Sequence, residues 1–248
     1  MRMYDGILAE TTTIDGHEGD AIPAYLARPL GSGPYPGVVV IHHMPGYDEA
    51  TKEITRTFAT HGYVAICPNL HHRYAPGADP GAAALATREA GGVPDAQCVG
   101  DVAGASKYVR SLPYANGKVG VIGYCSGGRQ AYLVACSLPF DAAVDCYGGR
   151  VVATHEELTE RQPVSPVDLT PNLSCPLLGL FGADDVHPTP AMMAQVEEQL
   201  QANHKTYEFH TYEGAGHAFF SVDRPNYNVA AALDGWQKIW TFFATYLT

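Results

Sequence analysis

The sequence has no apolar run approaching the roughly 20 residues needed to cross a bilayer, so no membrane-spanning helix is expected. Cations are also scarce. Fifteen Lys and Arg stand against 26 Asp and Glu, a formal net charge of −11. Nowhere do the cations gather into the basic cluster that phosphate backbones require, which excludes a nucleic-acid partner. The opening decapeptide "MRMYDGILAE" lacks the apolar core of a secretion signal. A cytoplasmic location is therefore expected. None of the six cysteines (67, 98, 125, 136, 146 and 175) is in CxxC spacing, so reduced thiols are expected rather than disulfides. Five of them lie in apolar runs and read as small core residues. There is no internal repeat, low-complexity tract or linker, and no cofactor is implied.

The 248 residues are 46% hydrophobic and 17% charged, which suits one sizeable domain over 1–248. Segments 7–13 and 22–28 read as an N-terminal antiparallel strand pair. "GVVVIHH" at 37–43 is short and apolar throughout, as in a strand buried on both faces. Further strands are expected at 62–70, 118–123, 141–147, 175–182 and 205–214. Helices are expected at 50–61, 96–112, 190–202 and 228–247, and one directly after residue 125. In the 96–112 helix, Cys98, Val102, Ala105, Val109 and Leu112 recur at alternating spacings of four and three, giving one apolar face. Residues 71–81 read as a loop, and the polar stretch 150–174 as a cap or active-site loop. Strands alternating with helices predict an α/β fold, a mostly parallel sheet with helices on both faces. Its functional residues should lie at the carboxyl ends of the strands.

"GYCSGG" at 123–128 sits between a strand and a helix, with glycines at 123 and 127 bracketing Cys125. This is the pattern of a nucleophile elbow, a sharp turn that exposes one side chain at a helix N-terminus. Ser126 is the weaker nucleophile candidate, because it follows the apex and can cap the helix. Later strand ends bring "GADD", with Asp184 and Asp185, and "GAGHAF", with His217. The order nucleophile, acid, histidine is that of the α/β-hydrolases. In that arrangement His217 takes the thiol proton, and an aspartate fixes the imidazole tautomer. The N–H groups of Ser126 and Met44 would form the oxyanion hole.

These residues, with "VVIHHMPG" and "ATHGYVAICPNL", resemble the dienelactone hydrolases (carboxymethylenebutenolidases) from about residue 20 to the C-terminus. The resemblance implies an α/β-hydrolase fold with a triad of Cys125, His217 and Asp185, Asp184 being the reserve acid. It also implies that Arg88 binds a substrate carboxylate. The sequence departs from the family pattern at three places. His43 stands where the family has a glutamate that holds the resting thiol protonated. Ser221 stands where it has a second arginine, a cation that Arg224 could supply instead. Gly92 falls at a family tyrosine. An imidazole at 43 predicts a thiolate already present at rest, paired with His217 or His43.

The histidine doublets His42/His43 and His71/His72 follow two strands that could be neighbours. A metal site is not expected from them, because no adjacent carboxylate completes the set. His43 reads instead as a pocket wall or a partner of the thiol. The sequence thus predicts a hydrolase of carboxylic esters or lactones acting through a thioester acyl-enzyme. The expected partner is a small molecule, on a monomer or small homo-oligomer. Two alternatives stay open: hydrolysis of thioesters or small acyl groups, and a non-catalytic binding protein on the same fold.

Overall fold

In a computed structural model, which describes residues 3–248, the chain builds an eight-stranded mixed sheet flanked by helices. Met1 and Arg2 of the expected 1–248 domain lie outside the described residues. The strands are β1 (Ile7–Asp15), β2 (Ala21–Pro29), β3 (Tyr35–Ile41), β4 (Val64–Pro68), β5 (Ala115–Tyr124), β6 (Ala142–Cys146), β7 (Leu177–Gly182) and β8 (Tyr207–Tyr212). Their order across the sheet is β1-β2-β4-β3-β5-β6-β7-β8. The β1–β2 and β2–β4 pairs are antiparallel, and every later pair is parallel. This is the expected α/β class, with the N-terminal hairpin forming one edge.

The helices are α1 (Glu49–Thr60), α2 (Pro80–Glu89), α3 (Asp95–Ser111), α4 (Ser126–Ala135), α5 (Pro190–Ala202) and α6 (Val229–Leu247). Central strand β3 shows why they lie on both faces. Val38, Val39, Val40 and Ile41 are all fully buried. Successive side chains of a strand point to opposite faces. Val39 and Ile41 accordingly join a core with Cys98, Val102 and Val109 of α3, Tyr132 of α4 and Val196 of α5. Val38 and Val40 join a second core with Phe58 of α1 and Ile239, Trp240 and Phe243 of α6. Each such side chain contributes about 1.5–3 kcal/mol by leaving water. The sheet is thus fixed from both sides, and its carboxyl edge is a firm platform.

Two stretches differ from the sequence reading. The expectation assigned no element to 82–95, yet α2 occupies Pro80–Glu89. Its start is coded locally. Asp79 accepts from the N–H groups of Gly81 and Ala82, and Pro80 needs no acceptor. The 150–174 stretch contains two short 3₁₀ segments, His155–Glu157 and Pro166–Asn172. It packs on α3 and α4. Tyr132 Oη and Thr170 Oγ1 lie 2.7 Å apart, and the Asp95 N–H donates to the Arg161 carbonyl at 2.8 Å.

Candidate active site

The turn between β5 and α4 is tight enough to demand its glycines. A Cβ on Gly123 would lie 1.9 Å from the Gly127 carbonyl oxygen, and one on Gly127 would lie 2.4 Å from the Ile41 carbonyl oxygen. Real Cβ atoms never come so close to backbone. Cys125 itself sits at φ 56, a conformation strained for any residue with a side chain. The strain is held by the Cys125 N–H donating to Cys146 and by the Gly128 N–H donating back to the Cys125 carbonyl. Cys125 is partly exposed, whereas the other five cysteines are buried and unpaired.

His217 follows β8, and Asp185 follows β7. His217 Nδ1 lies 2.8 Å from Asp185 Oδ2, and the Asp185 side chain is almost wholly buried. Asp184 is exposed and makes no such bond, so the geometry separates the two aspartates that the sequence left open. Burial alone would lower the His217 imidazole. The hydrogen bonds to Asp185 and Cys125, with the charges of both, outweigh it and raise it to about 10. With Nδ1 committed to Asp185, Nε2 is the nitrogen left for Cys125. An imidazole so placed can hold the proton of a thiol and return it to a leaving group.

Neither the Ser126 nor the Met44 backbone N–H has a hydrogen-bond acceptor among the described residues. Two free donors near a nucleophile can receive a negatively charged oxygen. Both residues line one cleft, together with Arg88, Arg129, Gly149 and Arg150. Arg129 is neutralised by Asp95, at 2.7 and 3.2 Å. Arg224, the reserve cation, is exposed and lies 3.6 Å from Asp223, outside this cleft.

His43 lines a different cavity, with Ser221, Tyr124 and Tyr147, so it stands in a pocket wall. Its Nε2 lies 2.7 Å from Asp48 Oδ2, while Asp48 Oδ1 accepts from the Thr51 N–H and so caps α1. Burial pushes the Asp48 carboxyl up, but the bonds from His43 and Thr51 outweigh it and hold it at about 2. His42 is buried, with Nδ1 2.9 Å from the His43 carbonyl and Nε2 accepting from the Leu70 N–H. Both its nitrogens are therefore engaged within the chain. His71 packs edge-on against it, at 4.5 Å between ring centroids.

Sequence reasoning missed four residues here. Asp48 did carry a signal: aspartate three places before Thr51 opens a helix. Arg150 and Tyr147 carry none, because their positions depend on positive φ values of 64 and 44. Asp145, buried beneath the elbow, reads in sequence as one polar residue in an apolar strand. Its Oδ1 accepts from Gly148 N–H at 2.8 Å, and burial pushes the carboxyl up to about 7 despite that bond.

Known proteins share this arrangement of strands. The dienelactone hydrolase family profile matches residues 22–247. The chain belongs to the dienelactone hydrolase family. A Methylorubrum extorquens protein named "putative carboxymethylenebutenolidase" is 32% identical over 98% of this chain and 82% of its own length. A Salmonella typhimurium protein of the same name is 35% identical over 98% of this chain and 89% of its own. The crystal structure of a "putative dienelactone hydrolase" from Klebsiella pneumoniae superposes with a TM-score of 0.88. It is 33% identical and covers 98% of this chain and all of its own. Membership makes this chain a dienelactone-hydrolase-like hydrolase with the α/β-hydrolase fold. Among its described residues no helix is long and apolar enough to cross a membrane.

Proposed function

We propose that this hydrolase cleaves carboxylic esters or lactones through Cys125, His217 and Asp185, within a single domain over 1–248. The observation that carries the proposal is His217. It is bonded to Asp185 at 2.8 Å and held up to about 10 by that carboxylate and by Cys125 at the elbow. In this reading His217 takes the Cys125 proton, and the resting site is a thiolate–imidazolium pair. This supports the His217 half of the expected pairing. His43 is turned to Asp48 instead.

In the first half-reaction Cys125 Sγ bonds to the carbonyl carbon. The carbonyl electron pair moves onto oxygen, where the Ser126 and Met44 N–H groups receive it. Collapse breaks the bond to the alkoxide oxygen, which takes its proton from His217 Nε2. A thioester remains. In the second half-reaction His217 accepts a proton from water as the water oxygen bonds to the acyl carbon. The carbon–sulfur bond then breaks, releasing the acid and restoring the thiolate. Removing one oxyanion donor typically costs about 3 kcal/mol of transition-state stabilisation. Arg88, exposed and without a carboxylate partner among the described residues, holds a substrate carboxylate.

Two measurements test this. Turnover of p-nitrophenyl acetate and an acyl adduct on Cys125 by mass spectrometry are expected in the native enzyme, with neither in Cys125→Ala. Iodoacetamide should label Cys125 at neutral pH faster than it labels a free thiol. A labelling rate that rises only near about 8.5, where a free thiol titrates, overturns the resting ion pair.

A further inference from the structure

Strand β6 is apolar except at Asp145, and the chain turns directly after it. Val144 and Cys146 join the core under α1 and α6, so the carboxyl between them points the other way, toward α4. There it lies where the backbones of two turns touch. A Cβ added to Gly128, in the first turn of α4, would meet Asp145 Oδ1 at 2.4 Å and Gly148 Cα at 2.7 Å. One added to Gly148 would meet the same oxygen at 2.4 Å and the Arg129 backbone nitrogen at 2.6 Å. The elbow and the turn after β6 thus pack backbone to backbone, with the Asp145 carboxyl wedged between them.

Tyr147 belongs to that turn. It sits at φ 44, a left-handed conformation that strains any residue with a side chain. The peptide planes on both sides of it are pinned. In the plane before it, the Tyr147 N–H donates to the Leu180 carbonyl at 2.9 Å, and the Cys146 carbonyl accepts from the Cys125 N–H at 3.0 Å. In the plane after it, the Gly148 N–H donates to Asp145 Oδ1 at 2.8 Å. Asp145 is the one acceptor for that N–H among the described residues. With both planes set, the direction of the Tyr147 side chain is set too.

The ring so placed backs the histidine. Tyr147 is buried and stands edge-on to His217 and to Phe219, each at 5.2 Å between ring centroids. Its hydroxyl faces Ser221 and the Phe220 backbone. The turn carrying His217 holds a strained residue of its own, Ala218 at φ 64, and leans on this ring.

We infer that Asp145 is a positioning residue, which through the turn at Tyr147 fixes the His217 ring relative to Cys125. The inference rests on the proposed cysteine hydrolysis and adds to it a carboxyl bonded to neither member of the Cys125–His217 pair. Without this acceptor, Tyr147 can relax to a negative φ, and its ring leaves His217. A displacement of about 1 Å in a reacting group can cost about 100-fold in rate.

The test measures hydrolysis of p-nitrophenyl acetate by protein shown to be folded by circular dichroism. Asp145→Ala should lower kcat by about 10–100-fold, with KM within about threefold of native. A residue that only stabilised the fold would lower the melting temperature and leave the kcat of folded enzyme alone. Asp145→Asn keeps an oxygen for the Gly148 N–H and should recover kcat to within about threefold of native. Tyr147→Leu should lower kcat as Asp145→Ala does. The double variant should be no slower than the slower single one, because both act on one ring. Should Asp145→Ala not fold, Asp145→Ser, too short to reach Gly148, is read in its place. An unchanged kcat, a loss that Asp145→Asn does not recover, or losses that multiply in the double variant would overturn the inference. Failure of the underlying chemistry reads differently: the native enzyme would leave no acyl group on Cys125.

Discussion

His217 and His42 stand at the same edge of the sheet, after β8 and β3, and both lose much of their hydration. They end in opposite states. His42 falls to about 4, whereas His217 rises to about 10. Desolvation is the largest influence on both and lowers both. The partners decide the outcome. Nε2 of His42 accepts from Leu70 and Nδ1 donates to a carbonyl, so the neutral ring is the form that fits. His217 meets a carboxylate and a sulfur, which favour the cation. The lesson is that burial alone does not tell a catalytic histidine from a structural one; the charge of what it touches does.

The largest way to break the contrast is to remove the sulfur. Cys125→Ala should lower ester turnover by at least about 10⁴-fold while leaving the fold intact, measured by initial rates and thermal melting. Cutting the other side of the imidazole comes next. Asp185→Asn should lower kcat by about 10³–10⁴-fold, because the amide can stabilise the wrong tautomer. It should also move iodoacetamide labelling of Cys125 to higher pH, since His217 loses the carboxylate that holds it cationic. Labelling that keeps its native pH profile in Asp185→Asn would show that Asp185 does not set the charge on His217.

This contrast also marks how far the sequence could be read. Helix α5 was expected at 190–202 and lies at Pro190–Ala202, since Thr189 and Pro190 punctuate its start. The parallel core was legible because its strands are apolar throughout. The strand-end candidates Cys125, Asp185 and His217 could be gathered because this topology brings strand ends to one edge. The loop residues around them were not legible. Whether His43 would face the thiol or Asp48 depends on a five-residue turn ending at the cap of α1. Arg150 reaches the cleft through a left-handed backbone conformation that arginine does not advertise. The helix α2 was missed, though Asp79 and Pro80 spell its start.

Asp145 extends the comparison to a carboxyl with no charged partner. Its folded value is about 7, against about 4 for the unfolded chain. A raised carboxyl binds its proton more tightly in the folded state. Stability from this group is therefore complete below about pH 4 and is lost as pH rises toward 7. Asp145→Asn keeps an oxygen for Gly148 and removes the titration. It should be more stable than the native protein at pH 8, by roughly 2–4 kcal/mol at about 1.4 kcal/mol per unit, and much less so at pH 5. Urea midpoints at the two pH values check this. An equal difference at both would mean that Asp145 stays charged when folded.

His42→Ala should give the smallest effect, and one that disappears with acid. At pH 8 the substitution leaves the buried Leu70 N–H without its acceptor, a cost of about 1–3 kcal/mol. The native histidine carries its own liability. Its folded value of about 4 lies below the roughly 6.5 of the unfolded chain, so the unfolded state binds the proton more tightly. Stability from this group is full above about 6.5 and is lost as pH falls toward 4. By pH 5 that loss is about 2 kcal/mol, similar to the cost of the missing acceptor. The two proteins should therefore differ at pH 8 and converge near pH 5 in the same urea titrations. Asp185 and Cys125 lie elsewhere on the edge, so the dependence of activity on pH should be the same in His42→Ala as in the native protein. A variant that stays less stable by the same amount at both pH values would mean that His42 is protonated when folded, and its contrast with His217 would not hold.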